Sequence, residues 1–82
     1  MHIEIVTPDQ KVFSGEVSSA TFPGSDGSFQ VLDNHAALIS TLGQGNIVLK
    51  VASQPDRVIG VDGGVVEVLR NRVTVLAEAV TG

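Results

Sequence analysis

The sequence contains no cysteine, no tryptophan and no tyrosine. The first absence excludes disulfide stapling, thiol catalysis and thiolate-bound metal together. Aromatic residues reach only 4%, so the chain has no platform on which successive bases would stack. Positive charge is scarce as well. Lys11, Lys50, Arg57, Arg70 and Arg72 face nine acids, which leaves a net charge of −4. These five cations are scattered, whereas a phosphate backbone demands a basic stripe, so no nucleic-acid partner is expected. No apolar run approaches the roughly 20 residues of a membrane-spanning helix. The start, Met1-His2-Ile3-Glu4, goes directly into an alternating pattern, and neither a leader peptide nor direct membrane insertion is expected.

What is present suffices for a folded core. Hydrophobic residues make up 43% and charged residues 17%, which argues against intrinsic disorder. Area scaling for this size gives a folded surface of roughly 4,700 Å² against about 12,300 Å² unfolded. That is one small aliphatic core, and the expectation is a single β-sandwich domain over residues 1–82.

The dominant hydrophobic period is two. Ile3 and Ile5 alternate with His2 and Glu4, and Asn46–Val51 and Val73–Ala77 continue in the same style. Turn signals separate such runs: Pro8-Asp9, Ser14-Gly15, Pro23-Gly24-Ser25-Asp26-Gly27, Gly43-Gln44-Gly45, Gln54-Pro55-Asp56, Asp62-Gly63-Gly64 and Arg70-Asn71-Arg72. This punctuation predicts an all-β fold of roughly eight to ten short strands. The expected form is a small two-sheet antiparallel sandwich, or flattened barrel. Its expected core is Ile3, Ile5, Val12, Phe22, Leu32, Val61, Val68, Val73 and Val75. Asp33–Leu42 fits a short capped helix or an extended segment after a turn, and the extended reading is preferred because the run is short. Asp62-Gly63-Gly64 reads as a hairpin turn between Val58–Val61 and Val65–Leu69. Val65-Val66 and Val68-Leu69 place apolar side chains on both faces of one strand, which must be central or covered by another chain.

Candidates for chemistry are few. His2 and His35 are the only imidazoles, and neither lies in a metal-ligand spacing, although Asp9 or Asp33 is available as a partner. Ser14, Ser25, Ser28 and Ser40 all lie outside a Gly-x-Ser-x-Gly elbow. Pro23–Ser28 resembles a phosphate loop in its glycines, but it lacks the Gly-Lys-Ser/Thr ending, and Asp26 would repel phosphate. A tight turn accounts for the same residues. Composition thus describes a small acidic β-domain suited to binding rather than catalysis, with no cofactor.

The order of motifs is more specific. Ile3-Glu4-Ile5-Val6-Thr7-Pro8 is followed by Val12-Phe13-Ser14-Gly15 and Phe22-Pro23-Gly24-Ser25-Asp26-Gly27. Next come Val31-Leu32 with His35-Ala36 and Leu38, then Gly63-Gly64-Val65-Val66-Glu67-Val68 and Asn71–Ala77. Together these resemble the N-terminal β-sandwich of the epsilon subunit of rotary ATP synthases, called delta in mitochondria. The resemblance implies a non-catalytic rotor subunit of the central stalk, which binds gamma and the c-ring and couples proton or sodium translocation to ATP synthesis. It also implies a peripheral location on the cytoplasmic side of the bacterial inner membrane, or the organellar equivalent.

By the same resemblance, Thr7, His35 and Ser40 match gamma-facing positions, with a turn-holding role as the alternative for His35. Gly24, Ser25, Asp26, Gly27 and Ser28 match the loop that approaches the c-ring. Three departures stand out. Asp33-Asn34 replaces the family's Pro-Gly, Ala37 replaces a Pro, and Ser28 replaces a carboxylate of many relatives. Asn tolerates the left-handed conformation, so the turn at Asn34 is expected to survive. Two other classes compete. A biotinyl or lipoyl carrier module needs a lysine at a hairpin tip, yet Lys11 and Lys50 stand in strand-like patterns. A metal-dependent β-barrel enzyme would have to use His35.

The resemblance implies that longer members of the family carry a helical hairpin after the sandwich, the source of autoinhibition and, in some members, of an ATP site. Here Glu78–Gly82 follows the last predicted strand, about 7.5 Å if helical. Such a segment falls far below the ~12–15 residues of a marginal isolated helix. A polypeptide of these 82 residues, added to an ATP synthase lacking this subunit, should leave ATP hydrolysis uninhibited. Calorimetry should detect no ATP binding above background. Strong inhibition or micromolar ATP affinity would place regulation in the sandwich itself.

Overall fold

A computed structural model describes residues 1–81, all β, as seven strands. They are β1 (His2–Val6), β2 (Lys11–Glu16), β3 (Ser19–Gly24), β4 (Gly27–Leu32), β5 (Leu38–Lys50), β6 (Arg57–Leu69) and β7 (Arg72–Ala77). The accessible surface is 4721 Å², the value that size scaling gives for a compact chain of this mass. Asp33–Leu42 is not helical: a turn at Asp33-Asn34 leads into β5.

All seven strands belong to one hydrogen-bonded sheet in the order β2-β1-β7-β6-β5-β3-β4. The all-β fold is thus present, but hydrogen bonding does not divide it into two sheets. One pair, β1 with β7, is parallel. The expected count of strands was higher because β5 and β6 are each 13 residues long and absorb turn signals that read as strand breaks.

Asp62-Gly63-Gly64 is the clearest case. It is not a hairpin turn; β6 runs through it, and its partner β5 runs through Gly43-Gln44-Gly45. Leu42 pairs with Gly64 and Gln44 with Asp62, so the two irregular segments lie opposite each other. On either side of them the inward-facing parity changes. Ile59 and Val61 are buried before the break, Val66 and Val68 after it. In β5, Leu42 is buried before it, and Ile47 and Leu49 after it. The glycines therefore reset the pleat, so that both halves of each long strand face the same core.

That core contains Ile3, Ile5, Phe22, Val61, Val68, Val73 and Val75 as expected, with Val12 only partly buried at its margin. Leu32 is 53% exposed, while its neighbour Val31 is fully buried. The reason is register: Val31 pairs with Ala20 and Phe29 with Phe22, so odd positions of β4 face inward. The Phe22 and Phe29 rings meet at 5.5 Å in a tilted arrangement. Residues after β7 also contribute. The segment from Glu78 to Thr81 runs extended beside β6, with Val80 bridged to Val61 and packed on the core.

Gly64 has φ +141°, and a Cβ there would lie 2.4 Å from the Leu76 carbonyl oxygen. Gly64→Ala should therefore lower unfolding free energy by ~2–4 kcal/mol, combining backbone strain with an overlap that rigid neighbouring backbone cannot relieve. Gly27, at φ +125° with open space around it, should cost only ~1–2 kcal/mol on the same change. Equal losses in urea denaturation would contradict the crowding at Gly64.

Candidate interaction surface

The β3–β4 hairpin turns through two residues, Ser25 and Asp26, and closes on the Gly24–Gly27 pair. Its two glycines serve different needs. Gly27 takes positive φ, whereas Gly24 is needed for space, since a Cβ would meet the Gly27 carbonyl oxygen at 2.5 Å. The tip is tied down from β5. Ser25 N–H donates to Thr41 O at 3.0 Å, and the Thr41 hydroxyl donates to Ser25 Oγ at 2.8 Å. Gly24–Ser28 is thus a fixed projection whose single charge, Asp26, faces solvent.

The other end of β4 is organised by Asn34. It has φ 62°, the left-handed conformation expected of it, and its N–H donates to Asn71 Oδ1 at 2.8 Å. His35 is half-buried; its N–H donates to Leu32 O at 3.1 Å, and Nδ1 lies 2.8 Å from Ala36 O. A carbonyl only accepts, so Nδ1 carries the hydrogen and Nε2 is left for another partner. The Asp33 carboxylate accepts from the Met1 ammonium, which ties this turn to the start of β1.

Thr7 performs a local task. Its hydroxyl accepts from the N–H groups of Asp9 and Gln10 at 3.3 and 3.2 Å and shapes the β1–β2 turn. Ser40 lies opposite Val66, and its hydroxyl donates to Thr41 O at 3.2 Å. Ser40 is therefore next to the anchor of the hairpin tip. Thr7 and His35 are not brought together. His35 belongs to the end of the sheet where Asn71 O accepts from His2 N–H, and Thr7 lies past the far end of β1. Five residues of strand separate them, roughly 16 Å.

Sequence reading undervalued the outer face of β5, β6 and β7. Ile39 is 72% exposed, Leu76 55%, Leu69 48% and Val65 39%. Val65 pairs with Leu76 on one side and Thr41 on the other, and Ile39 pairs with Glu67. A discontinuous apolar stripe of Leu76, Val65 and Ile39 therefore crosses three strands, with Thr41 and Glu67 set into it. The signal was visible in Val65-Val66 and Val68-Leu69: β6 is central, yet its outer side chains still face solvent. Shallow depressions of about 350 Å³ flank the stripe, one against Leu38 and Val68, the other against Thr7 and Leu76. Among the described residues no group of three or more His, Cys, Asp or Glu stands where it could hold a metal ion. Lys11 opens β2 and Lys50 closes β5, with its Nζ 3.6 Å from Asp56, so neither occupies a hairpin tip.

The family model for the ATP synthase delta/epsilon chain β-sandwich domain matches residues 1–82. The chain belongs to this family. Relatives include the ATP synthase epsilon chain of Campylobacter curvus, 41% identical over 78 residues, which are 95% of this chain and 60% of that one. The epsilon chain of Pelotomaculum thermopropionicum is 47% identical over 77 residues, 94% of this chain and 57% of that one. The chain thus spans about 60% of the length of the curated relatives it matches. Its fold is similar to a chain of the Euglena gracilis mitochondrial ATP synthase, with a TM-score of 0.88 at 17% identity, covering 96% of this chain and 51% of that one. A chain of the Tetrahymena thermophila mitochondrial ATP synthase central stalk and c-ring gives 0.82 at 18% identity, covering 98% and 64%. This epsilon-family sandwich has no helix, among the described residues, long and apolar enough to cross a membrane.

The hydrogen bonds separate structural from solvent-facing positions. Thr7→Ala should cost ~1 kcal/mol of stability, because two backbone donors lose their acceptor. Asp26→Ala should stay within ~0.5 kcal/mol, as exposed positions generally do. Urea denaturation of the two variants checks both, and a large loss at Asp26 would reveal a structural role for that carboxylate.

Proposed function

We propose that this chain is a non-catalytic rotor module of an ATP synthase, holding gamma and the c-ring together so that ion-driven ring rotation reaches the catalytic head. The family match over residues 1–82 carries this reading. The c-ring contact is assigned to Gly24, Ser25, Asp26, Gly27 and Ser28, because a rigid tip with small side chains suits insertion between loops of another subunit. The gamma contact is assigned to His35, Ser40 and Thr7. His35 supports this best, since it is half-buried on a turn held by Asn71 and Leu32, with Nδ1 engaged by Ala36 O and Nε2 left for a partner. The complex sits on the cytoplasmic side of a bacterial inner membrane or its organellar equivalent, with this module peripheral. The inhibitory arm of longer relatives is not part of the function proposed for these residues.

The test is co-purification with gamma and the c-ring. His35→Ala should weaken gamma binding about tenfold, the loss of one well-placed hydrogen bond, while the circular dichroism of the isolated chain stays unchanged. On the ring side, Asp26→Ala should change assembly little, because exposed pairs contribute ~0.2–1 kcal/mol. Gly27→Val should disrupt it further, since a β-branched residue resists positive φ. Unchanged gamma affinity on loss of His35 leaves that residue a turn-holding role only. Intact ring assembly with both loop variants removes Gly24–Ser28 from that interface.

A further inference from the structure

The sheet has two edges, and they are treated differently. β2 is protected in the ways that soluble edges usually are. It begins at Lys11 and ends at Glu16, its pairing with β1 is interrupted by a register shift at Ile5/Val6, and the Arg57 guanidinium lies 5.3 Å from the Phe13 ring. β4, Gly27-Ser28-Phe29-Gln30-Val31-Leu32, has none of this. It carries no charge and no proline, and its pairing with β3 is regular from Leu32 to Gly27. Leu32 is 53% exposed on it.

The turn geometry tells which backbone groups are free. A two-residue hairpin closes on a hydrogen-bonded pair, here Gly24 with Gly27, and hydrogen-bonded pairs then alternate along the ladder. Phe29 and Val31 therefore bond to β3, and Ser28, Gln30 and Leu32 direct their N–H and C=O groups away from the sheet. Leu32 O is already used, accepting from His35 N–H at 3.1 Å. Four outward groups on Ser28 and Gln30, and the N–H of Leu32, form an open ladder.

We propose that β4 is an augmentation edge, on which an extended strand of gamma adds to the sheet and makes it eight-stranded. This rests on the functional reading above and specifies its contact. The edge lies between the two assigned contacts: the hairpin tip, Gly24–Ser28, runs into its first two residues, and His35 follows its last by three. A strand laid along β4 is thus continuous with both. Charge argues for a different partner over a second copy. Asp26 precedes β4 and Asp33 follows it, so antiparallel self-pairing sets the Asp26 end of one copy against the Asp33 end of the other. Each copy also carries a net charge of −4. Like charges facing across strands are destabilising.

The experiment is amide hydrogen exchange, read by NMR on the labelled chain, alone and bound to purified gamma. Free chain should exchange quickly at Ser28, Gln30 and Leu32; the complex should slow these alternate amides at least about tenfold, the signature of a new ladder. A complex that forms while these amides stay fast overturns the edge proposal and leaves gamma binding standing. Failure of any complex to form overturns both. Protection that appears in the chain alone as its concentration rises means self-pairing and also overturns it. A second measurement uses Gln30→Pro, which removes an outward N–H at an edge position where proline is tolerated. It should weaken gamma binding about tenfold (~1.4 kcal/mol), whereas Gln30→Ala, which keeps that N–H, should change it less than about twofold. Equal affinities for a folded Gln30→Pro and the wild type would refute the ladder.

Discussion

The ladder between β5 and β6 is the constraint on which everything else depends. Among the described residues it is the only pairing of two 13-residue strands, and each strand reaches across the molecule. One half of the ladder carries β3 and hence the β3–β4 hairpin; the other half carries β7, β1 and β2. A chain this small, without cysteine and with few aromatic rings, has one aliphatic core to hold it together. Running two strands through the irregular glycine segments lets every strand share one aliphatic core. The glycine segments at 43–45 and 62–64 are the condition for this, because without a change of pleat half of each strand would turn its hydrophobic side to water.

The same arrangement fixes the surface available to partners. Because Thr41 of β5 holds Ser25, the hairpin tip is rigid relative to the long ladder. Because Asn71 of the β6–β7 turn holds Asn34, the His35 turn is rigid relative to the opposite end. The two regions assigned to c-ring and gamma are therefore parts of one stiff body. For the proposed rotor role this matters more than any single contact, since torque passes through a coupling only if the coupling resists bending.

Apolar stripe and open edge are complementary features of this surface. Val65, Leu76 and Ile39 present side chains without backbone groups, while β4 presents backbone groups with few large side chains. Side-chain surfaces confer affinity through area, and open edges confer register through hydrogen-bond spacing. A module with both has the means to hold a partner and to fix its orientation.

Much was legible in the residues alone. The alternation at Ile3-Glu4-Ile5, the tight Ser25-Asp26 turn and the Arg70-Asn71 turn each follow from short-range rules, since period and backbone φ are local properties. Asn34 took the left-handed conformation that its side chain tolerates. Family membership was readable too, from the order of its motifs. Long-range pairing decided the rest. Whether Asp62-Gly63-Gly64 turned the chain back or let it pass depended on what lay opposite, and Gly43-Gln44-Gly45 lay opposite. Whether Val31 or Leu32 faced inward depended on the register with β3, a one-residue choice that alternation cannot make within a short strand. The parallel neighbour of β1 and the separation of Thr7 from His35 are likewise invisible locally, because both follow from which strands meet rather than from what any strand contains.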